Sequence, residues 1–290
     1  MHHDIRQSEY FARFMNDLGW QTDKYHENYI YLKKFPLFGY FAKIPRANPP
    51  LFLSGIKSYM KKRKIFLLKI APHIRLSDQA ANKTKEEFHT NGFKADMNPF
   101  NPTTTILIDL ERTEPEIFSG FTQAKRRAVR KAIKNNIIIK ECKDIDLFIG
   151  IRKKQYAPFP FLIDSETVKI WKNFYPQNAS LLLAFSSTSN RALAGILLLF
   201  HKLTSYYWFA SATVEGKKLF APTLLVNEAL KTAKKRGCKI FDFEGVYDHR
   251  FPKAASSWKG FTKFKEGFGG KTVEYMENFT SKILINNHFY

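Results

Sequence analysis

LFAPTLLVNEALKTAKKRGCKIFDFEGV, residues Leu219–Val246, reads as one helix followed at once by one strand. The helix spans Leu219–Arg236 and ends in Lys234-Lys235-Arg236, where cations complement the negative end of its dipole. The strand, Lys239–Phe243, runs into Asp242-Phe243-Glu244-Gly245. A similar unit stands in the first half: LFLSGIKSYMKKRKIFLLKI, Leu51–Ile70, also joins a helix with a Lys-Lys-Arg end to an apolar strand. Repetition of the whole helix–turn–strand unit, once per half, predicts two related α/β domains. The boundary is placed near Cys142–Asp144, giving domains 1–143 and 144–290.

Other elements extend outward from these two units. Ser8–Leu18 carries apolar residues at Tyr10/Phe11, Phe14/Met15 and Leu18, a helical spacing with Ser8 as N-cap. Strands are predicted over Asn28–Lys33, Phe38–Ile44, Ile65–Ile70 and Ile106–Leu110, and a polar helix over Asp78–Asn91. Ile44–Pro50 (IPRANPP) cannot be helical, because its prolines fix φ and lack a donor. Glu114–Asn135 is the longest helical pattern, with Phe118, Phe121, Ala124, Ala128, Ala132 and Ile133 on its apolar side. After strand Ile137–Lys140 the second half gives a helix beginning near Asp144 and another over Ser165–Phe174. A meander of strands Ser180–Phe185, Ala192–His201 and Ser205–Ala212 completes the series.

Composition narrows the function classes. The 290 residues are 44% hydrophobic and hold 28 Phe and 13 Tyr, enough for ring-filled cores. Lys and Arg number 47 against 26 Asp and Glu, a formal charge of +21. Such self-repulsion adds nothing to stability, so an anionic partner is implied: nucleic acid, a phosphate-bearing substrate or an anionic membrane face. A lysine-rich composition without functional meaning is the plain alternative. Cys142 and Cys238 are isolated and make neither a disulfide framework nor a zinc site, so a reducing compartment is expected. The start, MHHDIRQSEY, has no apolar signal region, and the longest apolar run, Ala192–Phe200, falls short of the ~20 residues a bilayer requires. Histidines are scattered without an i, i+4 pair, which gives metal catalysis no support. Neither a GxSxG elbow nor a GxxxxGK[ST] loop is present.

In the second half a meander, a helix and a strand follow one another in the order of the GNAT-type acyltransferase core. In that fold a (Q/R)xxGx(G/A) turn offers backbone N–H groups to the pyrophosphate of acetyl-CoA. The corresponding stretch here, Lys217-Lys218-Leu219-Phe220-Ala221-Pro222, lacks the glycine, and Pro222 has no N–H. The scaffold is that of an acyltransferase while its usual grip on CoA is missing. An acyl donor other than CoA is the better expectation.

Five segments in order then resemble the FemABX family: QSEYFARF (Gln7–Phe14), IPRANPP, ILIDLERTEPEIFSGFTQAKRRAVRKAIKNNIIIK (Ile106–Lys140), LFAPTLLVNEALKTAKKRGCKIFDFEGV, and the FKEGFGG element (Phe264–Gly270). The resemblance implies two tandem GNAT-like acyltransferase domains of α/β class with mixed sheets. No heptad stretch would serve as the coiled-coil insertion some members carry. It further implies transfer of an amino acid from aminoacyl-tRNA to an amine of a peptidoglycan precursor, UDP-MurNAc-pentapeptide or lipid II. Aminoacyl-tRNA is then a co-substrate and no cofactor is needed. A cytoplasmic monomer is expected, at most in peripheral contact with the inner membrane face.

By the same resemblance Lys265, the lysine of the FK motif, is the first catalytic candidate, near the acceptor end of tRNA or the developing oxyanion. A solvated face of Lys259, Lys263 and Lys265 is the alternative. Asp242 and Glu244, two apart on a predicted strand, would share a face, and Asp242 could orient or deprotonate the attacking amine. Arg13 matches a basic residue for the acceptor diphosphate, Arg46 would edge the same groove, and Tyr207 would line the cleft. Phe264 lies beside Lys265 as either core or substrate contact. Arg126, Arg127, Arg130 and Lys131 are the electrostatic candidates for the tRNA acceptor stem, against a plain solvated face. One departure stands out: some members carry an acid before the proline after the first core strand, where this chain has Ala71. Two other functions fit the sequence: a CoA-dependent N-acyltransferase, and a non-catalytic module binding tRNA or a membrane surface.

Overall fold

The computed structural model describes residues 4–156, 161–188 and 190–283, so His2, His3 and His288 lie outside the described residues. Ser8 caps α1 (Glu9–Asp17), its hydroxyl accepting the Phe11 amide at 3.2 Å, and Phe11, Phe14 and Met15 turn inward. The strands β1 (Gln21–Tyr25), β2 (Asn28–Phe35) and β3 (Gly39–Ala47) follow as antiparallel neighbours. Next come α2 (Ile56–Lys62), β4 (Ile65–Pro72), α3 (Ala80–Thr90) and a short β5 (Lys94–Ala95). IPRANPP begins as the end of β3 and leaves it before Pro49.

Beyond β6 (Thr104–Asp109) the expected single helix Glu114–Asn135 is two, α4 (Glu114–Ser119) and α5 (Gln123–Lys134). Each has its own start signal: Thr113 and Glu116 close a capping box on α4, and Thr122 caps α5. The Thr122 amide donates to the Gly267 carbonyl at 2.9 Å, an external partner that replaces a helical one. The break rotates α5, so Ala124 and Ile133 are exposed while Ala128, Val129 and Ala132 are buried. The chain continues through β7 (Ile137–Cys142), α6 (Ile145–Tyr156), α7 (Phe161–Phe174), β8 (Ala179–Ser186), β9 (Ala192–His201) and β10 (Thr204–Ala212). It ends in α8 (Val214–Lys218), α9 (Ala221–Lys235), β11 (Ile240–Gly245), α10 (Lys259–Glu266), β12 (Lys271–Glu274) and β13 (Phe279–Lys282).

The chain forms two compact units, and they divide it differently from the expected 143/144 boundary. The first holds the residues up to Thr104, Tyr247–Ser257 and the segment from Val273. The second holds Thr105–Val246 and Trp258–Thr272. Hydrogen bonding explains the shift: β6 pairs with β11 and β7 with β8, so β6, α4, α5 and β7 belong to the second unit. β13 returns to pair with β4 and completes the first.

The first unit's sheet has the order β1-β2-β3-β4-β13-β5, with β3 and β4 parallel and α2 between them in sequence. Ile30, Leu32, Ile44, Ile56, Met60, Leu68 and Phe279 form its core. The second sheet runs β12-β6-β11-β10-β9-β8-β7, with β10 and β11 parallel and α8 and α9 between them in sequence. Its core joins Leu182, Ile196, Leu198, Leu225, Ala229, Phe241 and Phe243. Each unit thus contains one parallel strand–helix–strand crossover, the element repeated in the sequence. Both cysteines are free, and among the described residues no helix is long and apolar enough to cross a membrane.

Candidate active site

The second unit's sheet opens between its two parallel strands. β10 pairs with β11 only from Thr204↔Ile240 to Tyr206↔Asp242. Beyond that point β10 follows β9 through a bulge at Tyr207/Phe209, and β11 follows β6 through an irregularity between Asp242 and Gly245. Glu244, at φ +61, sits in the left-handed region at that irregularity.

Lys265 closes on this place from α10. It is 7% exposed and donates from Nζ to the Gly245 carbonyl at 2.8 Å. Its ammonium lies 5.6 Å from the Tyr207 ring centroid and 5.0 Å from that of Phe261. Burial pulls its pKa down to about 8, an effect only partly offset by the nearby Glu244 and Asp242 carboxylates. The solvated-face alternative therefore fails for this lysine, although Lys259 and Lys263 are exposed.

Asp242 is also buried, and its Oδ1 accepts from the Thr105 hydroxyl and, at 2.7 Å, from the Glu244 amide. That second bond shapes the turn of β11, so simple alternation does not carry Asp242 and Glu244 onto one face. Asp242 fixes the strand end on which the Gly245 carbonyl is presented to Lys265. Tyr207 is half-buried, with its ring 5.5 Å from that of Phe243. Phe264 packs against the unit's core, with the Lys125 ammonium 3.6 Å from its centroid, and so behaves as core. Burial lowers the pKa of Lys125 as well, to about 8.

The glycine pair after Phe268 explains how α10 is held. Gly269 and Gly270 have φ of +74 and +90, and a Cβ on either would come within 2.6 Å of a backbone oxygen, Gly120 O or Leu107 O. Only residues without a side chain let this turn lie against β6 and the α4–α5 break.

Of the basic-helix candidates, Arg126 is committed internally: its guanidinium donates to the carbonyls of Ser119 and Phe121. Arg127, Arg130 and Lys131 are exposed on α5, with the Lys131 ammonium 5.5 Å from the Phe220 ring centroid. At the start of α9, Phe220 is left-handed, Pro222 stands in the first turn, and the Thr223 amide already donates to Phe220 O at 3.0 Å. No glycine-lined cradle of amides exists there.

The first unit holds the other candidates. Arg13 is exposed on α1, its guanidinium 4.9 Å over the Tyr10 ring. Arg46 is buried on β3 at φ +48, 3.7 Å from Asp4 and 3.7 Å over the Tyr275 ring. Ala71 is buried near the end of β4 and brings no carboxylate. Two buried charge clusters in this unit left no signal in the sequence. In one, Asp4 faces Arg6, Arg46 and His73. Burial opposes the Asp4 charge, but the two arginines hold its carboxyl below the usual range. His73 is pushed down to about 4, chiefly by burial. In the other, Asp248 accepts from Thr103, Thr104 and Arg250. His249 and Glu274 lie close enough to Asp248 for a shared cation, but Asp248 is already spent on Arg250.

Comparison with known proteins gives a consistent picture. Residues 178–289 match the FemAB family model, a stretch that includes β8–β11, Lys265 and the glycine pair. No curated protein matches the chain by sequence. Among solved structures the fold resembles FemX, with a TM-score of 0.82 at 17% identity over 97% of this chain and 92% of that one. It also resembles L-PGS from Bacillus licheniformis, at TM-score 0.60 and 12% identity over 93% of this chain and 85% of that one. A tandem GNAT protein from the clavulanic acid biosynthesis pathway follows at TM-score 0.55 and 9% identity, over 90% and 80%. Residues 178–289 thus carry the FemAB family pattern, and the backbone resembles FemX along nearly the whole chain.

Proposed function

We propose that this protein is an acyltransferase that moves an amino acid from aminoacyl-tRNA to an amine of a peptidoglycan precursor, UDP-MurNAc-pentapeptide or lipid II. The observation that carries the reading is the buried Lys265, held against the Gly245 carbonyl where β10 and β11 part. The FemAB match over this region and the FemX-like fold support the acyltransferase class.

In the proposed reaction the acceptor amine attacks the ester carbonyl of the aminoacyl group. A C–N bond forms, the C–O bond to the tRNA ribose breaks, and the proton lost by the amine ends on the ribose oxygen. The ester is already activated, so positioning and charge stabilisation can supply most of the acceleration. Lys265 supplies a cation at a water-poor position, where it counters the developing oxyanion. A pKa of about 8 leaves it mostly charged at neutral pH yet able to pass its proton to the departing oxygen and take up in its place the one the amine loses. Asp242, through Glu244, holds the strand end that orients this lysine.

The exposed Arg127, Arg130 and Lys131 are proposed to meet the tRNA backbone, and Arg13 the acceptor's diphosphate. The occupied Thr223 amide and Pro222 speak against a CoA donor.

The test is transfer of a radiolabelled amino acid from a full panel of charged tRNAs to each of the two acceptors. Transfer by the parent and its loss in Lys265→Met is the expected result. No transfer with any charged tRNA refutes the proposal, and saturable acetyl-CoA binding would replace the donor.

A further inference from the structure

The first unit exposes apolar side chains where a hairpin tip is ordinarily polar. Between β2 and β3 the chain turns through Phe35-Pro36-Leu37-Phe38, and Phe35, Leu37 and Phe38 are 44%, 72% and 63% exposed. The turn is built, not frayed: Phe38 N–H donates to Phe35 O at 3.3 Å, and Leu37 adopts φ +70. Phe66 on β4 supports it from beside, its ring 6.0 Å from Phe35 and 6.2 Å from Phe38.

A collar of cations adjoins this tip. Lys33 and Lys34 precede it on β2, and the end of α2 with its turn to β4 supplies Lys61-Lys62-Arg63-Lys64. That turn is locked to the hairpin, because Tyr40 N–H donates to Lys64 O at 2.8 Å. Two of the six cations are spent locally: Lys33 donates to Gly19 O at 2.9 Å, and Arg63 pairs with Asp23 at 2.7 Å. Lys34, Lys61, Lys62 and Lys64 are exposed and have no ion-pair partner among the described residues.

We propose that this hairpin tip and its lysine collar form a docking site for an anionic lipid bilayer. Leu37 and Phe38 enter the interface between headgroups and acyl chains, while the four lysines stay among the phosphates. Exposed apolar side chains ringed by cations satisfy both terms of peripheral membrane binding, area removed from water and attraction to anionic lipid. A nucleic-acid duplex would use the lysines but leave Leu37 and Phe38 in water, and an unpaired base stacked on Phe38 would still leave Leu37 there, so the apolar tip favours lipid. The inference rests on this surface and not on the transfer reaction.

The experiment is sedimentation with vesicles of phosphatidylcholine alone, and with about one-third phosphatidylglycerol, at low and high salt. Partition of the parent onto anionic vesicles should exceed that onto neutral ones by about tenfold or more and fall with salt. Leu37→Ser/Phe38→Ser should lower it about tenfold. Lys61→Glu/Lys62→Glu should lower it about 30-fold or more. Both variants should keep the parent's circular dichroism and melting temperature, since all four side chains are exposed. Equal partition of the parent onto the two vesicle types overturns the proposal. So does unchanged partition of the Leu37→Ser/Phe38→Ser protein, or a loss of tRNA binding by either variant with vesicle binding intact. Vesicle binding is read without aminoacyl transfer, so failure here and failure of the proposed reaction are separate results.

Discussion

Replacing Lys265 by Met should abolish transfer and yet make the protein more stable at neutral pH. Lys265 is 7% exposed, and burial brings its pKa from an ordinary 10.5 to about 8. At ~1.36 kcal/mol per pH unit, holding the charged form inside the fold costs about 3 kcal/mol at pH 7. Methionine keeps the stem's length and apolar contacts but carries no charge. Against this gain stands the hydrogen bond to Gly245 O, whose loss costs about 1–2 kcal/mol. The net expectation is a variant more stable by about 1–2 kcal/mol at pH 7, or about 3–6 °C in melting temperature.

The pH dependence carries the same reasoning further. The folded protein binds the Lys265 proton less tightly than the unfolded chain, so between about 8 and 10.5 the unfolded state holds more protons. Stability of the parent therefore rises with pH across that window, and the variant's advantage fades toward pH 10.5. Urea unfolding of parent and variant at pH 7, 8, 9 and 10 reads the difference directly. A variant less stable than the parent at pH 7, or a difference that does not change with pH, would refute the buried-charge reasoning. A side chain retained at a cost to stability marks a functional position.

Other substitutions separate structural from binding roles. Asp248→Ala should destabilise by about 3 kcal/mol in urea, because it strands Arg250 beside two threonines. Burial works against the Asp248 charge, but Arg250, Thr103 and Thr104 outweigh it and hold the pKa at about 2; the stability it confers is full above 3.8 and is lost as the pH falls from there through about 2. Arg126→Ala should cost about 1–2 kcal/mol through the freed Ser119 and Phe121 carbonyls while leaving the salt dependence of tRNA binding unchanged. Arg127→Ala and Arg130→Ala should each reduce that salt slope by about 1, measured by filter binding across a salt series. Gly270→Ala meets Leu107 O at 2.6 Å from a φ of +90 and should lower stability by about 2 kcal/mol or more in thermal unfolding.

Much of the fold was legible because its signals are local. Ser8 as N-cap, the strand Ala192–His201 and the Lys-Lys-Arg helix ends follow from cap chemistry, apolar runs and dipole complementarity. What misled was non-local. β1 is Gln-Thr-Asp-Lys-Tyr, without apolar alternation, and exists because β2 offers it a full register of partners. Glu114–Asn135 keeps a helical period across a break that Gly267, more than a hundred residues later, creates by accepting the Thr122 amide. The two compact units differ from the expected 143/144 division for the same reason. Nothing in ILIDL states that it pairs with IFDFEG, yet that pairing carries β6 and everything up to β7 into the second unit.

The candidate site divides along the same line. Motif order singled out Lys265, and it could equally have sat with Lys259 and Lys263 on a solvated face of α10. What separates it from them is a single turn of helix geometry: its neighbours on the inward side are Thr262 and Phe268, both buried. Gly269 and Gly270 then let α10 approach β6 closely enough for the ammonium to reach Gly245 O. The acceptor for that bond exists only because β11 leaves β10 after Asp242 and turns at Glu244, a departure fixed by Asp242 and Thr105. Lys265 thus draws its lowered pKa from an assembly of residues spread from Thr105 to Gly270. A lysine moved one position along α10, to 264 or 266, would keep the sequence basic and lose the chemistry.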